Sequence, residues 1–290
     1  VRLRLARLSG SGPVLAEDST HIRSDDVNLP ISLPCSEQGV RIANARFENN
    51  TARDGGALGV APDRTKNSFF DVTDSVFVGN TATRKGGAVH VSGVDSGARL
   101  ADGCVFRANR AFAGYGTIKD VGGGAIYVGE NAVLRMHDAV AIDNAVNRLS
   151  DGGFLSAEFA REIFLQRVNI SGAQTGKDGG GGALFVFGSK VILDQTRIDG
   201  CSAGVRGGGG ILLDGGADAF LYEGVLSDNV ALGGFGGHIR VTASRLNIFG
   251  ASKELKNVPP VRPMFPNLHP LSGTQGTTTM TNGTALSGGG

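Results

Sequence analysis

Apolar residues come in short alternating bursts, such as Val133-Leu134-Arg135-Met136 and Lys190-Val191-Ile192-Leu193, each soon closed by Gly, Asp or Asn. Runs this short, bounded by turn residues, predict strands of about three to five residues rather than helices. The bursts also keep a fixed internal phase. An apolar residue is followed five positions later by a second, three later by Asn and two later by a small residue: Ile42, Phe47, Asn50, Ala52, then Val72, Phe77, Asn80, Ala82. The phase continues through Met136, Ala141, Asn144, Val146 and through Leu221, Leu226, Asn229, Ala231. It persists with substitutions at Leu165, Ile170, Ala173, Thr175 and at Leu193, Ile198, Cys201, Ala203, while the unit at Leu100, Phe106, Asn109, Ala111 carries one extra residue.

A Gly-Gly pair closes each unit, with second members Gly56, Gly87, Gly124, Gly153, Gly182, Gly210 and Gly237, spaced by 31, 37, 29, 29, 28 and 27 residues. That period predicts an all-β, single-stranded parallel β-helix of about eight coils, in which each short strand finds its backbone partners about 4.8 Å along the axis. Phe47, Phe77, Phe106, Ile170, Ile198 and Leu226 then form one internal stack. Asn50, Asn80, Asn109, Asn144 and Asn229 form a second at a corner where the amide bonds bent backbone and an unusual dihedral is tolerated. The glycines mark another corner, where a Cβ would clash or φ must be positive. A phosphate-cradling role would need a strand-loop-helix setting and a following Lys and Ser/Thr, and both are missing from the pattern.

Residues 1–36 read as an N-terminal cap or incomplete coils, 37–255 as the β-helix, and 256–290 as a Pro-rich and then Gly/Ser/Thr-rich flexible tail. The chain opens on Val1 and reads as a fragment or processed piece, without an apolar run long enough for a transmembrane segment. With 28 Lys and Arg against 27 Asp and Glu, net charge implies no nucleic-acid partner. The three cysteines, Cys35, Cys104 and Cys201, are odd in number and lack metal-ligand spacing; Cys201 stands in the Asn slot. No cofactor or metal is expected.

The pairing of an F-x-x-N corner with a G-G-A corner, clearest in Phe47–Leu58 and Phe77–Val89, resembles the repeats of chlamydial polymorphic outer membrane proteins and the wider set of parallel β-helix repeat proteins with the pectin-lyase-like fold. The resemblance covers roughly residues 40–240. It implies a right-handed coil, a hand that agrees with the general crossover preference, and placement outside the cell or on its surface. It also implies binding to other protein chains or surface glycans rather than chemistry.

The chain is therefore read as a non-enzymatic structural or adhesive module of a larger protein or assembly. The alternative is a polysaccharide-acting lyase or hydrolase, or a carbohydrate-binding β-helix. For the enzyme, two carboxylates must face one another, and the candidates are Asp194, Asp199, Asp214 and Asp218, with His238 and Arg240 as basic partners. Asp25-Asp26 reads as a turn. Tyr115, in an insertion between Phe106 and Gly124, is the candidate binding aromatic. Asn49, Asn169 and Asn282 begin N-glycosylation sequons, with Asn282 the accessible one and the other two constrained by neighbouring coils.

Overall fold

The structure, a computed structural model, describes residues 15–16, 21–22, 40–60, 68–112, 122–147, 149–249, 279–281 and 283–286. Strands of two to five residues pair in parallel throughout, as the short bursts predict. One coil runs through four walls, for example Phe69–Thr73, Val76–Val78, Thr81–Lys85 and Val89–Ser92. The first wall is a nine-stranded sheet from Leu15–Ala16 to Arg245–Phe249, and the second a nine-stranded sheet from His21–Ile22 to Thr279–Thr281. The third is narrow, four strands and then three, joined through bridges of Gln174 to Ala145 and Ser202. The fourth has seven strands, Leu58–Val60 to Ile239–Val241. The architecture is an all-β parallel solenoid of about seven coils.

Register aligns Phe47, Phe77, Phe106, Ala141, Ile170, Ile198 and Leu226 in one column of the second wall. The first three rings stack at centroid spacings of 4.7 and 4.6 Å, the repeat distance of the coils themselves. Ala141 would leave a void in that column. The slot after the glycine corner, which holds Ala57, Ala88 and Ala125 in earlier coils, holds Phe154 in the same coil as Ala141, and its fully buried ring meets Phe106 edge-on at 6.0 Å. Small and large side chains have exchanged places, keeping core volume nearly constant.

The Asn ladder is continuous over four coils. Asn80 accepts from the Asn50 amide and backbone N–H at 2.9 and 3.1 Å, and donates to the Phe47 carbonyl at 3.0 Å and to Asn109 at 3.0 Å. Asn109 meets Asn144 in the same way. The unusual dihedral falls one residue earlier than the ladder Asn, at Asn49, Gly79, Ala108, Asp143, Gly172, Gly200 and Asp228, all with positive φ. Cys201 occupies the slot as expected, its N–H bonded to Asn229 at 2.9 Å. Cys104 and Cys201 are buried free thiols that burial pushes up to about 11 and about 12, so both stay protonated and unreactive at neutral pH.

At the other corner both glycines are required for different reasons. Gly123 has φ 69°, and a Cβ there would lie 1.9 Å from the Ile126 carbonyl oxygen; one on Gly124 would lie 2.0 Å from the Gly153 oxygen of the next coil. Within the run Gly207–Gly210 these two roles fall on Gly208 and Gly209, so Gly210 takes the slot of Ala57 rather than the corner. The extra residue of the third unit is Gly103. Within 256–290, where a flexible tail is expected, Thr279–Thr281 and Thr284–Leu286 extend the second and third walls, placing Met280 opposite Leu226 and Ala285 opposite Ala231. The repeat resumes there with Met for Phe and Gly283 for Asn. Leu15–Ala16 and His21–Ile22 likewise pair with the first complete coil.

Candidate functional site

Among the described residues, seven first-wall strands end in a left-handed turn, and these turns stack into an edge of the solenoid: Asn44, Asp74, Asp102 (with Gly103), Asp138, Arg167, Gln195 and Glu223. Asp and Gln suit such a turn better than β-branched residues do. Stacking brings Asp102 beside Asp138 and both beside His137, the last residue of Val133–His137. One ligand atom from each of the three lies within 4.8 Å of the others. His137 Nδ1 is 3.4 Å from Asp102 and 3.3 Å from Asp138. Its Nε2 is 2.9 Å from a guanidinium nitrogen of Arg99, which also bonds Asp71 at 2.7 Å and Asp102 at 3.2 Å. Arg167 grips Asp138 with two bonds of 2.7 and 2.6 Å.

Arginine only donates, so His137 Nε2 accepts and the proton sits on Nδ1, facing the two carboxylates. The bidentate bond from Arg167 holds the Asp138 carboxyl below the usual range and outweighs its partial burial. Both Asp side chains stay nearly half exposed. Two carboxylates and an imidazole can ligate a divalent cation once Arg99 leaves Nε2, so that the ring proton moves there from Nδ1, and Arg167 releases Asp138.

A second constellation covers the outer face of the fourth wall. His90, Tyr127, Ser156, Phe185, Leu212 and Arg240 align in one column, alternating with the core residues on either side. Lys85 donates to the Tyr127 hydroxyl at 2.8 Å and lies 3.4 Å from Glu158, to which Tyr127 donates at 3.1 Å. His90 stacks on Tyr127 at 5.2 Å, and burial lowers its imidazole to about 4. Asp151 accepts the Gly180 N–H at 2.7 Å and pairs with Arg206, which reaches on to Asp214 at 3.2 Å. Burial pushes the Asp151 carboxyl up to about 6 against the pull of Arg206, with the Glu158 charge adding to the rise. The Ser156 hydroxyl is buried without a hydrogen-bond partner among the described residues. At the strand end, Phe159 is 61% exposed with φ 53° and meets Phe187 edge-on at 5.1 Å.

The acids expected to form a catalytic group do not converge. Asp194 is buried in the first wall, accepting from Gln166 at 2.8 Å, and burial raises its carboxyl; Asp218 is on the same wall, paired with Arg245 at 3.4 Å. Asp199 is on the second wall, bonded to Ser227 and 3.5 Å from Arg197, and Asp214 is on the fourth. His238 fills the corner slot and meets the Asn229 amide at 3.2 Å, while Arg240 bonds the Arg206 carbonyl and lies over Phe235. Asn49 and Asn169 are exposed rather than closed in by neighbouring coils. Tyr115, Asn282, Cys35 and Asp25-Asp26 lie outside the described residues.

Asp102, His137 and Asp138 escape a linear reading because their meeting depends on aligning coils across the Gly103 insertion. The available signal is Asp74, Asp102 and Asp138 at one slot of "TDSVF", "ADGCVF" and "HDAVA". Among the described residues no helix is long and apolar enough to cross a membrane. No protein family matches this chain, and none of the curated proteins or solved structures compared with it is similar. The fold, a parallel solenoid compatible with a structural or adhesive module and with a carbohydrate-acting protein, therefore rests on its strand order and register.

Proposed function

We propose that this solenoid handles polysaccharide, holding an acidic glycan through a divalent cation at the Asp102–His137–Asp138 edge. The observation that carries the reading is the meeting of two half-exposed carboxylates and an imidazole, both carboxylates satisfied by guanidinium groups. A cation entering the cluster takes the carboxylates, and Arg99 and Arg167 are released toward the carboxylates of uronate sugars, which they match in geometry. Cation and glycan then bind together, each supplying the partner that the other displaces. The same arrangement suits a carbohydrate-binding solenoid or a lyase on uronate chains.

Calorimetry with polygalacturonate tests it. Saturable binding is expected in calcium and not in chelator, and Asp102→Asn or Asp138→Asn weakens it by on the order of tenfold or more. An assay for unsaturated and reducing-end products on the same samples separates binding from turnover. Calcium-independent binding, or unchanged affinity in both variants, would overturn the reading.

A structural or adhesive module displayed outside the cell or on its surface is the second reading. It is supported by the likeness of the Phe47–Leu58 and Phe77–Val89 repeats to those of chlamydial polymorphic outer membrane proteins, and by continuous ladders that present one face coil after coil.

A further inference from the structure

We propose that the Phe159–Phe187 step at the end of the fourth wall is a cation-independent platform for a neutral pyranose ring. The inference rests on the polysaccharide reading above but places a different ligand on a different wall.

Phe159 occupies a turn slot in which its ring gains little from folding: it is 61% exposed, and φ is 53°, a conformation costly for a bulky residue. The corresponding turns of the next two coils carry Gly188 and Gly215. These glycines keep the space for the rings. A Cβ on Gly188 would lie 2.9 Å from the Phe159 ring, and one on Gly215 would lie 2.1 Å from that of Phe187. Two successive coils therefore give up side chains so that two aromatic rings can stand at right angles on the surface, 5.1 Å apart with an interplanar angle of 84°.

The chemistry around the step distinguishes a sugar from an apolar partner. Glu158 immediately precedes Phe159 and stands in register with Phe187, whose own partner in the next coil is Asp214. Arg206 bonds Asp214 and lies over the Phe185 ring, 5.1 Å from its centroid. Carboxylate acceptors and a guanidinium donor beside aromatic faces match a pyranose, with its C–H-rich face and its ring of hydroxyls. A protein partner seated on an exposed hot spot would call for a wider apolar surround than this charged rim.

The test titrates the full chain, in chelator, with cellohexaose, xylohexaose and mannohexaose, following ligand saturation-transfer NMR and calorimetry. Working without cation separates this site from the first-wall edge: failure there leaves this measurement intact, and failure here leaves calcium-dependent polygalacturonate binding intact. Binding of at least one oligosaccharide is expected, weakened on the order of tenfold in Phe159→Ala. Phe159→Gly gives the sharper result. It should lose binding equally while raising the melting temperature, because glycine relieves the left-handed turn. Absence of binding to all three sugars, unchanged affinity in both variants, or a lowered melting temperature in Phe159→Gly would overturn the proposal. Self-association that disappears in Phe159→Ala would assign the step to a second copy instead.

Discussion

Phe154 shows how much one side chain can carry in a repeat. Its coil lacks the aromatic of the second-wall stack, and its ring enters from the opposite corner to occupy that volume. Phe154→Ala therefore leaves two alanines facing one another and costs about 3–5 kcal/mol. Ala141→Phe alone overfills the same space at about 1–3 kcal/mol. The double exchange restores the pattern of the neighbouring coils and should recover most of the loss, a coupling that urea denaturation of the three variants would show. The columns on either side were readable because Phe, Asn and Gly recur at fixed phase. This substitution was not, since Ala141 looks like a weakened repeat until Phe154 is placed beside it.

At the level of the strand and turn, the Asn ladder does for one corner what the wall ladders do for the strands. Asn80 satisfies the Asn50 backbone N–H and the Phe47 carbonyl, both internal to the coil stack. Asn80→Ala strands these groups and should cost about 2–4 kcal/mol, read from the urea midpoint and from faster amide exchange at Asn50. Legibility follows the same geometry. Side chains share a column only when separated by a whole coil, as Asp194 and Tyr222 are. Asp194 and Asp214 are 20 residues apart, short of the 27–31 that separates most corners, so their sequence proximity sends them to different walls. Asp102 and Asp138 are 36 apart yet adjacent in space, because this unit is longer in sequence than its neighbours while its strands keep register with the next coil. The closing strands at Thr279–Thr281 and Thr284–Leu286 were hidden for a chemical reason: Met280 and Gly283 replace the two residue types that announce a coil.

For the whole molecule, two partly buried groups, His90 on the fourth wall and Asp151 just ahead of its glycine corner, pull stability in opposite directions over one pH window. Asp151 titrates at about 6 in the fold against 3.8 unfolded, so as pH rises through that interval the unfolded chain releases its proton first and about 3 kcal/mol is lost. His90 titrates at about 4 against 6.5, so as pH falls through that interval the unfolded chain takes up a proton that the fold refuses, and about 3 kcal/mol is lost in the other direction. The two contributions nearly cancel between about pH 4 and 6.5. Asp151→Asn should unmask a stability that climbs with pH across this range, and His90→Gln one that declines, both visible in denaturant midpoints measured at several pH values. Parallel slopes in the two variants would show that these groups do not govern the profile.

Because the ladders bond each coil to the next, nearly every backbone hydrogen bond between strands points along the long axis. Tension applied at the two ends is thus shared by four rows of bonds in parallel at each junction, and the junctions are loaded in series. The weakest junction yields first and the rest hold. Most losses pay out roughly 28 residues, about 90–100 Å of extended chain, so the molecule gives way coil by coil and absorbs work at every step.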